Sequence, residues 1–355
     1  MFMKKLFVTG MGRSGTTLLD KLLTNHPDVD VLSQPMPLIY VEVKSRFLEE
    51  FGRRKYFVLN DDLISRDYTQ ENFDGYLRSL EWDTSDLSDI YNRMHAYSGQ
   101  KTKTDFSIVE DSQSFHGFCS VINKCLTLFK TNCDSHYVGS KEIMCEEFLP
   151  YFCENGYKCI LIVRDPRDVL ASANYPKGEE YVGGKKPTLF ILRSWRKSVE
   201  FASQLRHNEN FHLLRYEDLI EKTFQELDKI TDFLGISNFK ADHFEGGIKD
   251  REGVLWQANS SSAVRESFIS KRSKERYKKV LSNDEVAYTE AICHHELNWL
   301  GYEVDMNPVN TDIINEFRDY DIKGNQELLP NYSSSQSNID LEIRRLEEFR
   351  GFFNF

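Results

Sequence analysis

Cysteine is scarce and shows no pairing pattern. The 355 residues hold seven, at Cys119, Cys125, Cys133, Cys145, Cys153, Cys159 and Cys293, with neither a CxxC pair nor the Cys/His spacing of a zinc site. An odd set without a framework excludes a disulfide scaffold and points to free thiols in a reducing cytoplasm. Long hydrophobic runs are missing too, so a bilayer-crossing segment of roughly 20 apolar residues is excluded. The first residues run straight into a glycine loop at Gly10, which leaves no room for a secretory leader. Positive charge is in deficit: 45 Lys and Arg against 56 Asp and Glu leave a net charge of −11. General affinity for nucleic acid or an anionic membrane is therefore not expected, and any anionic ligand must be held locally.

What is present is enough apolar material, 40% of the chain, to bury a core. Lys5 to Thr9 is a short β-favouring run that ends in glycine, and Leu18, Leu19, Leu22 and Leu23 then recur at helical spacing until His26-Pro27. Lys158 to Val163 is a nearly continuous apolar run, as in a parallel strand covered on both faces. A third strand is expected from Phe211 to Tyr216, followed by a helix through Phe224, Leu227, Ile230, Phe233 and Leu234 that Gly235 closes. Strand and helix in alternation predict an α/β fold with a central parallel sheet flanked by helices.

From about residue 40 to 135 strand periodicity is lacking, which predicts an inserted region of helices and loops suited to acceptor recognition. The main domain is expected over 1–305 and a C-terminal extension over 306–355. Within the extension, Asn331 to Asn338 reads as a flexible linker before a short amphipathic helix carrying Ile339, Ile343, Leu346, Phe349 and Phe353. That helix is expected to pack on its own domain, with a homodimer contact as the lesser alternative. Glu146-Glu147 reads as a solvated helix end, and His294-His295 has poor chelating geometry, so no metal site is expected.

Gly10-Met11-Gly12-Arg13-Ser14-Gly15-Thr16-Thr17 lies between a strand and a helix start, where unpaired N–H groups and the helix dipole favour an anion. It has the length of a Walker A loop, but Thr16 stands where a nucleotide kinase has lysine, and the cation sits at Arg13. Arg164 closes a central strand and Ser172 follows eight positions on, which supplies an arginine fork and a hydroxyl for a second anion.

With both elements in view, the chain resembles the sulfotransferases that use 3′-phosphoadenosine 5′-phosphosulfate. Arg13-Ser14-Gly15-Thr16-Thr17 is similar to the family's 5′-phosphosulfate loop, and Arg164 with Ser172 to its 3′-phosphate element. Arg215-Tyr216-Glu217-Asp218-Leu219 resembles the segment whose tyrosine lies against the adenine. Asn259 and Ser260, then Ser270 and Arg276, fall in stretches similar to the family's cofactor-closing elements. The resemblance implies a P-loop-like sulfotransferase fold, the phosphosulfate donor with adenosine 3′,5′-bisphosphate as its product, and no metal. It further implies Lys141, in Gly139-Ser140-Lys141-Glu142, as a second catalytic cation beside Arg13.

The general base departs from the family pattern. Gln34 stands where the tyrosylprotein and glycosaminoglycan branches have glutamate, and Ile143 where small-molecule members have histidine. Glu42, Glu142 and His116 remain as candidates, and Gln34 as an acceptor-orienting residue. The implied activity is sulfuryl transfer to a hydroxyl, less readily an amine, of a small molecule or glycan. A catalytically silent nucleotide-binding relative and a P-loop kinase are the alternatives.

Overall fold

In the computed structural model of the chain, the described residues are 4–50, 68–94, 96–97, 100–102, 114–129, 135–175, 184–256, 269–305, 310–319 and 329–348. A five-stranded parallel sheet runs in the order β2 (Val29–Ser33), β5 (Tyr137–Lys141), β1 (Lys4–Thr9), β6 (Lys158–Val163), β7 (Phe211–Arg215). Side chains alternate along each strand, and both faces are covered. On β1 and β6, Leu6, Val8, Ile160 and Ile162 join one core layer, while Phe7, Cys159, Leu161 and Val163 join the other. This double burial is why these segments read as continuous apolar runs.

The first layer is closed by α1 (Thr16–Thr24), α9 (Tyr216–Glu221) and α10 (Thr223–Leu234), with Gly235 ending α10 at φ 66°. The opposite layer holds α2 (Pro37–Glu49), α6 (Leu149–Glu154), α7 (Pro166–Asn174) and the long α8 (Thr188–Leu205). Three of the sheet's strands answer to the expected ones. β2 and the full length of β5 were not expected: an aspartate and a serine interrupt Val-Asp-Val-Leu-Ser, and Gly-Ser-Lys closes β5 without an apolar residue.

The inserted region supplies α3 (Gln70–Ser79), α4 (Thr84–Met94) and α5 (Phe118–Phe129), as expected. It also contains an antiparallel ribbon that was not expected, β3 (Glu81–Asp83) with β4 (Ser114–His116), in which Trp82 faces Phe115. Three-residue strands carry one buried side chain each and leave no alternation to read.

Beyond β7 follow α11 (Tyr277–Val280), α12 (Asn283–Ile292), α13 (His294–Trp299), α14 (Asp312–Glu316), α15 (Leu329–Tyr332) and α16 (Gln336–Glu348). The stretch expected as a linker is ordered by side-chain contacts. Tyr332 meets Phe190 edge to face at 5.1 Å, and Asn338 donates to the Ser333 carbonyl while accepting from Arg193. Charge, not only apolar area, docks α16: Glu342 takes Arg193 at 2.7 Å and Arg196 at 2.7 Å, both from α8. Phe349 and Phe353 lie outside the described residues.

Glu146 and Glu147 are also not solvated. Both are fully buried and share Lys197 of α8, and Glu147 also takes Lys44 of α2 at 2.9 Å. Four such groups tolerate burial only because each charge meets its opposite.

Candidate active site

The carboxyl ends of β1, β5, β6 and β7 converge on one edge of the sheet, and there the chain leaves the plane in loops. After β1 it turns through Gly10 to Gly15. Arg13 takes a left-handed conformation at φ 75° and Gly15 one at φ 96°. A Cβ on Gly15 would stand 2.3 Å from the Tyr216 ring, so glycine lets the loop lie flat against that tyrosine. α1 then starts at Thr16 with no side-chain cap and no acid in its first turn, which leaves its leading N–H groups and dipole available to an anion.

The second element comes from β6. Asp165 caps α7 by accepting from the Arg167 N–H and pairs with the Arg167 guanidinium, which reaches on to Glu290 at 2.6 Å. That leaves Arg164 directed at the first loop. Its Nη1 donates to the Arg13 carbonyl at 3.1 Å, Nη2 to the Ser273 carbonyl at 2.5 Å, and its guanidinium lies 4.8 Å from the Tyr216 ring centre. Arg13 in turn donates from Nε to Ser172 Oγ at 3.0 Å. The two anion-binding elements read from sequence, 151 residues apart, are thus one cluster. Two buried polar atoms in it, Ser14 Oγ and Arg164 Nε, have no hydrogen-bond partner among the described residues; a buried donor of this kind is costly unless a ligand meets it.

A third group lies where β5 ends. Lys141 is fully buried, 3.3 Å from Asp20 of α1 and 3.2 Å from Gln34 Oε1, to which it donates. Burial lowers its pKa and raises that of Asp20, with their mutual attraction opposing both shifts. Gln34 is held at φ 44°, its N–H on the Lys141 carbonyl at 2.7 Å. Next to it Glu142 is buried and accepts from the Met36 N–H at 3.1 Å, and burial pushes its pKa to about 8. The Met144 N–H reaches the Gly10 carbonyl at 3.1 Å, which stitches this segment to the first loop.

A family model described as a sulfotransferase domain matches residues 3–301. The chain belongs to the sulfotransferase family. Carbohydrate sulfotransferase 1 of Danio rerio is 23% identical over 342 residues, covering 85% of this chain and 79% of that protein. The 3-beta-hydroxysteroid sulfotransferase of Cavia porcellus is 35% identical over 95 residues, 24% of this chain and 33% of its own length. Among solved structures, a sulfotransferase domain from the curacin biosynthetic pathway aligns with 20% identity and a TM-score of 0.46, covering 85% of this chain and 99% of that one.

In this sulfotransferase the remaining candidates are dispersed. Glu42 sits on α2 between Arg46 at 3.0 Å and Arg93 at 3.2 Å. His116 is largely exposed in the β3–β4 ribbon, 3.5 Å from Glu81. Ser270 caps the turn 271–273 by accepting from the Arg272 N–H, and Arg276 donates to the carbonyls of Ala171 and Tyr175 at the end of α7. Asn259 and Ser260 lie outside the described residues.

Four residues were missed. Asp168 accepts from the N–H groups of Glu275 and Tyr277 and so ties the C-terminal segment over the site. Ser273 bonds the Tyr216 hydroxyl at 2.6 Å, and Trp195 of α8 donates to the Arg164 carbonyl at 2.7 Å. Lys186 has its pKa lowered by burial and then by the charge of Arg13. The second aspartate of Arg164-Asp165-Pro166-Arg167-Asp168 was the one sequence signal available; the other three depend on chain segments meeting in space.

Proposed function

We propose that this enzyme moves the sulfuryl group of 3′-phosphoadenosine 5′-phosphosulfate in line to a hydroxyl, less readily an amine, of a small molecule or glycan. The observation that carries the reading is the joining of Arg13, Ser172 and Arg164 into one cationic cluster at the end of β1 and β6. The residues fit the donor: Ser14 Oγ and Arg164 Nε are buried donors awaiting a partner, and the loop's flat contact with Tyr216 needs Gly15. Ser14, Thr16 and Thr17 with the α1 N–H groups would hold the 5′ end; Arg164 and Ser172 would hold the 3′-phosphate, and Tyr216 the adenine side. When bound, that donor supplies an activated sulfuryl group on a phosphate leaving group.

The chain's part is positioning and charge stabilisation. Arg13 offers its guanidinium where negative charge develops. Lys141 donates to the Gln34 side-chain oxygen, and Gln34 is the residue assigned to orient an acceptor. Glu142, beside Lys141, stays the candidate base, but burial raises its pKa to about 8, so at neutral pH only its minor ionised fraction can take a proton. Cytoplasmic action belongs to the same proposal, supported by free thiols at Cys119, Cys125, Cys145, Cys153, Cys159 and Cys293.

The test is calorimetric binding of adenosine 3′,5′-bisphosphate against magnesium ATP, on the wild type and Arg164→Ala. Tight bisphosphate binding that the substitution weakens is expected, with little binding of ATP. A preference for ATP, or equal binding of adenosine nucleotides with and without the 3′-phosphate, overturns the reading.

A further inference from the structure

Helix α1 begins at the anion loop and turns one face to the sheet. Thr16, Leu19, Asp20, Leu22 and Leu23 are its buried residues, and the leucines join the core layer of Leu6, Val8, Ile160 and Ile162. Asp20 is the one acid of the helix, and it is fully buried. It stands one helical turn after Thr16, so the two lie on the same side of α1, beneath the loop that offers N–H groups to an anion. A negative charge there works against an anion, and an apolar residue would fill that layer without the cost of burying a carboxylate.

What answers Asp20 is Lys141. The ammonium lies 3.3 Å from the carboxylate, and both side chains are at most 1% exposed. β5 delivers it, since Lys141 ends that strand in register with Val8 of β1 and Ser33 of β2. Four other polar groups face the pair: Lys21 of α1, 3.6 Å from Asp20, the Ser33 side chain beside Asp20, Gln34, 3.2 Å from the Lys141 Nζ, and Glu142, next along the chain. Glu142 is mostly protonated at neutral pH, because burial raises its pKa to about 8, which leaves Asp20 as the counter-charge of Lys141. Asp20 and Gln34 occupy two of the three N–H groups of the ammonium, and the third is left for a ligand.

We infer that Asp20 is a positioning residue for sulfuryl transfer: from α1 it holds the Lys141 ammonium charged and fixed at the end of β5, where that cation serves the sulfuryl group. The inference rests on the sulfuryl-transfer reading and adds to it a residue that works through Lys141 without touching the donor. Burial by itself favours the neutral amine, and attraction to Asp20 is the largest force opposing it. The ion pair as a whole carries no net charge, so the loop above keeps its attraction for an anion while Lys141 still presents a charged N–H donor.

On isotopically labelled protein, Lys141 would be titrated by NMR through its Cε resonance, assigned by its loss in Asp20→Asn/Lys141→Met, a variant that removes both charges together. Asp20→Asn keeps the side-chain volume and removes only the charge; it is expected to lower the Lys141 midpoint by at least about one pH unit. Calorimetry then compares binding of 3′-phosphoadenosine 5′-phosphosulfate and of adenosine 3′,5′-bisphosphate at pH 6 and pH 8. Between these, the phosphosulfate affinity of Asp20→Asn is expected to fall at least about fivefold relative to the wild type, while its relative bisphosphate affinity stays within about twofold. An unmoved midpoint overturns the inference, as does a loss equal for both nucleotides at both pH values, which a merely structural role would give. So does a wild-type Lys141 that is neutral at pH 7, a result that needs no variant to fold. Absence of phosphosulfate binding by the wild type, with the midpoint still moved by Asp20→Asn, overturns the donor reading instead and reduces Asp20 to the counter-charge of a buried lysine.

Discussion

Arg13 occupies the left-handed region at φ 75°, a conformation that costs a non-glycine residue about 1–2 kcal/mol. Its neighbours hold it there: Arg164 takes its carbonyl and Ser172 its guanidinium. Such strain collects at functional sites, and Arg13→Ala is expected to abolish turnover while nucleotide binding survives in part. Undiminished sulfuryl transfer in that variant would remove Arg13 from the chemistry. Arg164→Ala should weaken bisphosphate binding by about 1–3 kcal/mol, the scale of a lost charged hydrogen bond. Gly15→Ala forces a Cβ into the Tyr216 ring; bisphosphate affinity is expected to fall at least about tenfold, or ~1.4 kcal/mol. Titration calorimetry reads both effects, and unchanged affinity in Gly15→Ala would show that the ring moves away without consequence.

Elements are joined here by buried charge as much as by apolar area. Helix α8 presents Arg193, Arg196 and Lys197 to the interior, and each finds carboxylates on another element: Glu342 of α16, Glu296 of α13, and Glu146 with Glu147 before α6. Breaking a buried pair leaves an uncompensated charge and costs about 3–5 kcal/mol. Glu342→Ala is therefore expected to destabilise the fold by that amount, since it removes the carboxylate of Arg193 and Arg345 and leaves Arg196 with Glu296 alone. Urea unfolding measures it, and a loss below about 1 kcal/mol, the scale of a surface pair, would mean that α16 is only loosely seated. The same helix α8 holds the Arg164 carbonyl through Trp195, so the seat of the C-terminal helix and the anion site share one rigid support.

Two carboxylates give the whole molecule opposite pH responses. Glu142 has its pKa raised by burial from 4.5 to about 8. Its favourable contribution is fully present below pH about 4.5 and is lost as pH rises towards 8, because the unfolded chain ionises first. Glu342 is the reverse case: burial opposes ionisation, but Arg345, Arg193 and Arg196 outweigh it and bring the pKa from 4.5 to about 2. Its contribution is present above about 4.5 and lost as pH falls towards 2. Glu142→Gln is expected to flatten the decline in stability between pH 5 and 8, leaving the acid limb in place. Chemical denaturation at several pH values checks this, and identical slopes for wild type and variant would contradict a neutral Glu142 in the folded state.

The local determinants were legible in the chain itself. A β-favouring run ending in glycine marked β1, an apolar run covered on both faces marked β6, the run from Phe211 to Tyr216 marked β7, and glycine density between a strand and a helix marked the loop from Gly10 to Thr17. The spacing of Arg164 and Ser172 marked a second anion element. Backbone propensity and periodicity act over a few residues, so a linear reading detects them. Tertiary structure alone decided which distant groups meet. It joined Arg13 to Ser172, buried Lys141 against Asp20 and Gln34, and brought Asp168 to the segment at 275–277. It also turned Glu146 and Glu147 from apparent surface charges into interior partners and placed Glu342 among buried arginines. A charged residue reads the same in sequence whether it faces water or an opposite charge; only the fold sets the dielectric around it and supplies the partner.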